Sequence, residues 1–301
     1  MKQGFVKVAS ATPRIRVADP VYNAQVICEQ AKEAAEHGAK IVVFPELCIT
    51  GYTCNDLFLQ ELLLEKAKEA LLTIAEETGQ LETLFLVGLP VDKDGRLYNV
   101  AAVLYRGRIL GMIPKKNIPM YAEFYEGRHF TPGEETVTEY RLGKQVIPFG
   151  SNLLFRCEEL PELILGCELC EDLWVAEPPS TSHALMGATV IANLSASNET
   201  VSKDDYRTLL IKASSARLLC GYIYTSAGEG ESTQDLVFGG HDLIAENGTL
   251  LVQSARFTTG ILYTDLDVLK ISSERRRMGT FGKSCLLYTS PSPRDGATYR
   301  M

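Results

Sequence analysis

Leu163–Ser180 reads LILGCELCEDLWVAEPPS. An apolar run ends at Cys170, and Glu168, Glu171, Asp172 and Trp174 crowd the thiol. A short continuous apolar run is the mark of a strand buried on both faces of an α/β sheet. Such a strand puts Cys170 at the carboxyl edge of the sheet, where α/β folds hold ligands. The pattern repeats on either side. ATVIANLSA (188–196) is a second buried strand, YRTLLIKASSARLLCG (206–221) a helix and GYIYTSAG (221–228) a third strand. HDLIAENGTLLVQSA (241–255) is a hairpin turning at Asn247-Gly248, a strong two-residue signal, and GILYTDLDV (260–268) closes the series.

The N-terminal half has the same grammar. Val6–Ala9 opens a strand, and residues 18–40 read as a helix with Asp19 as N-cap, Pro20 in the first turn and Gly38 at the stop. KIVVFP (40–45) is a buried strand, and residues 55–79 are a second amphipathic helix. LFLVGLPV (84–91) is another buried strand, and residues 99–115 form a hairpin turning at Arg106-Gly107. Buried strands alternating with helices predict an α/β architecture, and two similar halves predict a layered sandwich.

Composition bounds the rest. The chain has 301 residues, enough for one large domain or two ordinary ones, with 46% apolar and 23% charged residues. A net charge of −8 argues against a nucleic-acid binder. The basic cluster Glu274–Met278 (ERRRM) reads as a solvated helix face. No apolar run approaches the ~20 residues that span a bilayer, so a cytoplasmic protein with no membrane partner is expected. Eight scattered cysteines, mostly in apolar runs, are expected to be reduced thiols. From about Ser284 the chain reads SCLLYTSPSPRDGATYRM. This tail (284–301) reads as disordered or as non-native sequence resembling read-through into cloning adaptor, and the folded domain is placed at 1–283.

Three readings of Cys170 compete. Cys167 and Cys170 have the spacing of half a zinc site, but no second C-x-x-C or paired histidine completes it, so no metal is expected. A redox pair needs the motif to open a helix, which Glu171–Trp174 could do. A nucleophile needs a nearby base or cation, because the surrounding acids alone raise the thiol's pKa. Lys115, after Pro114 at the hairpin's end and before an aromatic–acidic run (Tyr121, Glu123, Phe124, Tyr125, Glu126), is the candidate cation. Glu46, embedded in VVFPELCITGY, is either ion-paired or held at raised pKa. Strand parity turns Cys167 to the opposite face, where it is structural.

FPEL…GY, then PK, then CED, at strand ends and in that order, resemble the nitrilase or carbon–nitrogen hydrolase superfamily over residues 4–280. FPELCITGYTCNDLF, PKKNIPMYAEFYEGRHF, CEDLWVAEPPS, ANLSAS, AGEGESTQDLVFGGHDLIAENG and SERRRMGTF are similar to the N-terminal glutaminase domain of glutamine-dependent NAD synthetases. The resemblance implies a four-layer α-β-β-α sandwich and a triad of Glu46 as general base, Lys115 as oxyanion stabiliser and Cys170 as nucleophile. It implies that Glu126 orients Lys115 and that Tyr121, Ser197 and Lys203 face the substrate, L-glutamine. Lys203 stands where the family commonly has Arg, losing a bidentate fork. Glu171 and Trp174 are expected to line the pocket. The glutaminase domain needs no cofactor. ATP, Mg and deamido-NAD belong to a synthetase domain whose Ser-Gly-Gly-x-Asp-Ser loop is not found here, so the chain reads as truncated. Partners implied are that domain, facing Ala227–Gly240, and further copies of the chain in a homo-oligomer. A stand-alone amidase for another ω-amide or carbamoyl compound, or a catalytically idle interaction module, are the competing readings.

Overall fold

The computed structural model describes residues 3–281 and 298–300. In chain order the elements are β1 (Phe5–Thr12), α1 (Pro20–Glu36), β2 (Ile41–Val43), α2 (Glu61–Glu77), β3 (Leu84–Lys93), β4 (Arg96–Tyr105), β5 (Arg108–Pro114), β6 (Thr138–Leu142), β7 (Gln145–Phe149) and β8 (Leu154–Arg156). Then come β9 (Ile164–Leu169), α3 (Pro179–Leu185), β10 (Val190–Ser195), α4 (Lys203–Leu218), β11 (Gly221–Ser226), β12 (Leu243–Glu246), β13 (Thr249–Gln253), β14 (Gly260–Asp267), α5 (Val268–Arg277) and β15 (Thr298–Arg300).

These strands make two sheets, ordered β14-β1-β2-β3-β4-β5-β7-β6 and β13-β12-β11-β10-β9-β8-β15. The centre of each is parallel, β1-β2-β3 in one and β9-β10-β11 in the other. Helices α1 and α2 cover the outer face of the first sheet through Ile27, Ala31, Leu71 and Ile74. Helices α3 and α4 cover the second through Ala184, Ile211 and Leu218. Between the sheets lies a shared core that includes Val8, Val43, Leu86, Phe155, Leu165, Leu169 and Ile223, all fully buried. Each such side chain contributes about 1.5–3 kcal/mol of transfer free energy, which fuses the two halves into one α-β-β-α unit. The expected layered sandwich is the observed fold.

Local chemistry sets the element ends. Asp19 caps α1 by accepting the Tyr22 N–H at 3.1 Å, and Gly38 takes φ +82 beyond its end. Both hairpin turns are present, with Arg106 and Asn247 at positive φ before glycines at positive φ.

Several readings change. The helix expected over 55–79 begins only at Glu61, because Asn55 sits at φ 48 and breaks a 3-10 stretch over Tyr52–Leu59. Thr138–Leu142 and Gln145–Phe149 are strands that the sequence reading passed over. The basic cluster is only partly a solvated face. Arg275 turns inward and donates to the carbonyls of Ala188 (2.6 Å), Leu218 (2.9 Å) and Leu219 (2.9 Å). Seven cysteines among the described residues are unpaired thiols, and Cys167 lies in the core between the sheets. Of the tail reading, Thr298–Arg300 pairs with β8 in parallel and the rest lies outside the described residues.

Candidate active site

The site forms where the carboxyl ends of β2, β5, β9 and β10 converge. Two buried contacts lock the sheets together there. The Ser10 and Thr225 hydroxyls lie 2.5 Å apart, and the Thr225 hydroxyl donates to the Val43 carbonyl at 3.2 Å. Beyond β2 the chain turns at Pro45 and presents Glu46, and the Glu46 N–H reaches the Ser195 carbonyl at 3.3 Å. The turn fits because Gly88 on β3 lacks a side chain: a Cβ there would lie 2.2 Å from the Leu47 nitrogen.

Glu46 has no exposure to solvent. Its Oε1 accepts from Lys115 Nζ (2.7 Å) and Asn99 Nδ2 (2.6 Å), and its Oε2 accepts from the Ala196 N–H (2.9 Å). Lys115 follows β5, is 1% exposed, and gives a second N–H to Glu126 Oε1 at 2.6 Å. Glu126 is held in turn by the Tyr52 hydroxyl at 2.8 Å. One ammonium therefore serves two buried carboxylates and keeps one of its three donors unspent.

Cys170 comes directly after β9. It opens a 3-10 turn over Cys170–Leu173 and takes φ 41, a left-handed conformation unusual for a non-glycine residue. Holding it there costs on the order of 1–3 kcal/mol, and such strain gathers at functional sites. The thiol is 6% exposed.

Electrostatics follow from burial and from the excess of acids. Burial drives Glu46 upward against the pull of Lys115, and Glu126 adds to the rise, so its carboxyl is pushed up to about 7. Burial and the charge of Glu46 push the Cys170 thiol well up, with Lys115 and the Ala196 N–H opposing. Lys115 stays well above the usual lysine range, because its two carboxylates outweigh its own burial. At rest the site holds a neutral thiol, a firmly charged ammonium and a carboxyl poised to exchange a proton near neutrality.

A rim of mixed polar and aromatic groups surrounds the thiol. The Tyr121 hydroxyl donates to Glu171 at 2.9 Å, and Tyr121 packs edge-on to Phe124. The Lys203 ammonium lies 5.1 Å over the Trp174 ring and 5.6 Å over Phe124, and donates to Asn198 Oδ1. Burial lowers the pKa of Lys203. Ser197 is buried, and its hydroxyl accepts from Arg207 at 3.3 Å.

The structure thus brings Glu46, Lys115, Glu126 and Cys170 together, with Tyr121, Glu171, Trp174 and Lys203 at the rim and Ser197 beneath Arg207. The sequence reading missed four contributors: Asn99, Tyr52, the Ala196 N–H and Arg207. Asn99 carried a signal, a lone amide at the start of the apolar run NVAAVLY. Arg207 carried none. A charged residue on an amphipathic helix reads as solvated, yet this one is fully buried and bonds Glu199, Asn198 and His241. Among the described residues no group of three or more His, Cys, Asp or Glu side chains could hold a metal. No helix among them is long and apolar enough to cross a membrane.

Comparison with known proteins bears on the family and the fold. The carbon-nitrogen hydrolase family model matches residues 7–276. A glutamine-dependent NAD(+) synthetase of Mycobacterium tuberculosis is 43% identical over 282 residues, covering 93% of this chain and 42% of that protein. The crystal structure of a glutamine-dependent NAD(+) synthetase from Cytophaga hutchinsonii superposes with a TM-score of 0.79 at 28% identity, covering 87% of this chain and 43% of that one. A nitrilase-superfamily amidase from Nesterenkonia shares the fold, with a TM-score of 0.70 at 21% identity over 97% of its own length. The chain spans about two fifths of the length of the curated relatives it matches.

Proposed function

The chain belongs to the carbon-nitrogen hydrolase family, and on that premise we propose that it hydrolyses the side-chain amide of L-glutamine and releases ammonia. The carrying observation is the convergence of a thiol, a carboxylate and an ammonium at neighbouring strand ends, with Lys115 bridging Glu46 and Glu126 at 2.7 and 2.6 Å. Similarity to glutamine-dependent NAD(+) synthetases supports glutamine as the substrate.

Cys170 Sγ attacks the amide carbon while Glu46 takes the thiol proton. The carbonyl oxygen becomes an oxyanion facing the third N–H of Lys115 and the backbone N–H that follows Cys170. Collapse breaks the C–N bond, Glu46 hands its proton to the departing nitrogen, and ammonia leaves a γ-glutamyl thioester. Glu46 then draws a proton from water, whose oxygen attacks the thioester. The Cys170 sulfur departs, recovers its proton, and glutamate is released. Glu126 and Tyr52 hold Lys115 in place throughout. Lys203 faces the substrate's α-carboxylate, with Tyr121, Glu171, Trp174 and Ser197 around the rest.

The hydrolysis needs no cofactor. The ammonia serves amidation of deamido-NAD by an ATP- and Mg-dependent synthetase domain, which docks against Ala227–Gly240. Seven unpaired thiols among the described residues fit a reducing, cytoplasmic setting. Self-association uses helix faces, where Leu209 of α4 and Leu72 of α2 are exposed.

The test is ammonia release from L-glutamine by the wild-type chain, Cys170→Ala and Lys203→Ala. Loss in Cys170→Ala, together with a KM raised at least about tenfold in Lys203→Ala for glutamine but not for simple aliphatic amides, supports the reading. Cys170-dependent release from simple amides alone refutes glutamine as the substrate, and no Cys170-dependent release from a folded chain refutes the amidase.

A further inference from the structure

Asp172 belongs to neither the triad nor the rim, yet it is 1% exposed and its carboxylate is the junction of two chain segments. On one side, Oδ2 accepts the N–H of Leu169, the residue before the nucleophile, at 3.0 Å. On the other, Oδ2 accepts the Lys116 N–H at 3.4 Å, and Oδ1 accepts the Asn117 N–H at 2.8 Å and Asn117 Nδ2 at 2.7 Å. Lys116 and Asn117 directly follow the proposed oxyanion lysine. We infer that Asp172 is a positioning residue that fixes the Lys115 loop against the Cys170 turn, so that ammonium and sulfur stand at a set separation.

The chemistry favours this role. A carboxylate accepts at two oxygens and has no donor of its own, so it suits a spot where only N–H groups converge. The bond to Leu169 also closes the tight turn in which Cys170 is held at φ 41. Burial raises Asp172, while its bonds to Leu169 and Asn117 and the charge of Lys115 oppose that rise. An asparagine has the same shape but sets an NH2 group against one of these N–H clusters, so the two segments part.

The inference rests on Lys115 and Cys170 being the reacting groups, and its test uses a readout that needs no substrate. The rate at which iodoacetamide alkylates Cys170, followed on the Cys170 peptide, is measured for wild type, Asp172→Asn, Lys115→Gln and the double variant. Thermal melting and ammonia release are recorded beside it. Asp172→Asn is expected to alkylate about tenfold more slowly, since the positive field that favours the thiolate has moved off. Turnover should fall about 100-fold with KM unchanged, the scale of an ångström's misplacement. In the Lys115→Gln background Asp172→Asn should change neither alkylation nor turnover further, because it acts through the lysine. The inference is overturned if folded Asp172→Asn behaves as wild type, or if the two effects simply multiply. If Asp172→Asn does not fold, Asn117→Ala, which removes one clamp bond, replaces it in the same cycle. A three- to tenfold slowing abolished by Lys115→Gln supports the clamp, and a wild-type rate overturns it. A wild type with no Cys170-dependent ammonia release refutes the proposed function, while the alkylation cycle still decides the clamp.

Discussion

The acid side of the pH–rate profile is the sharpest consequence of the site's charge count. Two carboxylates share one buried ammonium, and the Glu46 carboxyl is pushed up to about 7. As the proposed general base, Glu46 works only when ionised. With a pKa of about 7, roughly half of it is ionised at pH 7, about a tenth at pH 6 and about a hundredth at pH 5. Rate constants should therefore fall about tenfold per unit as pH drops below neutrality. Lys115 is held well above its ordinary range and the Cys170 thiol is raised too, so neither adds a descending limb just above neutrality. The assay is kcat/KM for amide hydrolysis, by direct ammonia detection, from about pH 5 to about pH 9. Glu168 and Asp242 are also raised to about 7 by burial, so a midpoint alone does not identify the base. Glu126→Gln does: the charge of Glu126 raises Glu46, so its removal must shift the acid limb to lower pH, whatever it does to the plateau. A profile flat through the acid range, or an acid limb that Glu126→Gln leaves in place, refutes the reasoning.

Three further outcomes are expected. Gly88→Ala brings a Cβ to 2.2 Å from the Leu47 nitrogen and 2.7 Å from the Pro45 carbonyl oxygen, both backbone atoms that cannot swing aside. Denaturant melts should show at least about 1–3 kcal/mol lost, and steady-state assays about a 100-fold fall in turnover. Tyr52→Phe deletes the 2.8 Å bond to Glu126, and stopped-time assays should show turnover down roughly tenfold with KM unchanged, in line with a lost bond to a charged acceptor. Stability should rise as pH falls from about 8 and go on rising more gently below about 6.5, where two lowered histidines offset two of three raised carboxyls. Glu46, Glu168 and Asp242 are raised above their unfolded values, so their contribution is complete below the unfolded pKa and is lost as pH climbs through about 7. His183 and His241 are lowered to about 4 by burial, so theirs is lost as pH falls from the unfolded value toward about 4. Melting temperatures across pH check this, and a steady rise in stability from pH 6.5 to 8 contradicts it.

The layers were legible because their signals are local. Continuous apolar runs such as KIVVFP and LILGCEL mark strands buried on both faces, and Asp19, Gly38, Arg106-Gly107 and Asn247-Gly248 punctuate them by φ/ψ chemistry. The missed strands Thr138–Leu142 and Gln145–Phe149 are short, carry Arg141 and Pro148, and hold the edge of a sheet, where no second face enforces an apolar pattern. The helix over 55–79 started late because one residue, Asn55, takes a positive φ that a period of apolar residues does not reveal. At the site, residues that break the pattern at strand ends could be found: Glu46 after Pro45, Lys115 after Pro114, Cys170 among acids. Residues whose role lies in a partner elsewhere in the chain could not. Asn99 bonds Glu46 across 53 positions, and Arg207 looks solvated until the fold closes over it.

What the sequence leaves open is how the charges balance, and that balance decides the chemistry. FPEL, PK and CED supply an acid, a base and a thiol, a set that equally suits a thiolate–ammonium pair at rest. Placement decides against it. Lys115 spends two of its donors on Glu46 and Glu126, so its positive charge is already matched before Cys170 is considered. A thiolate there would be a third buried anion beside a single cation, and burial with the Glu46 charge accordingly holds the thiol protonated. On the proposed mechanism the nucleophile is therefore made during attack. In that mechanism the proton goes to Glu46, and the positive field so released from one carboxylate is free to meet the oxyanion. Glu46 and Lys115 then act as one device, the carboxyl taking up charge as the substrate oxygen gains it, which is why moving either segment by an ångström through Gly88 or Asp172 should cost as much as weakening a reacting group itself.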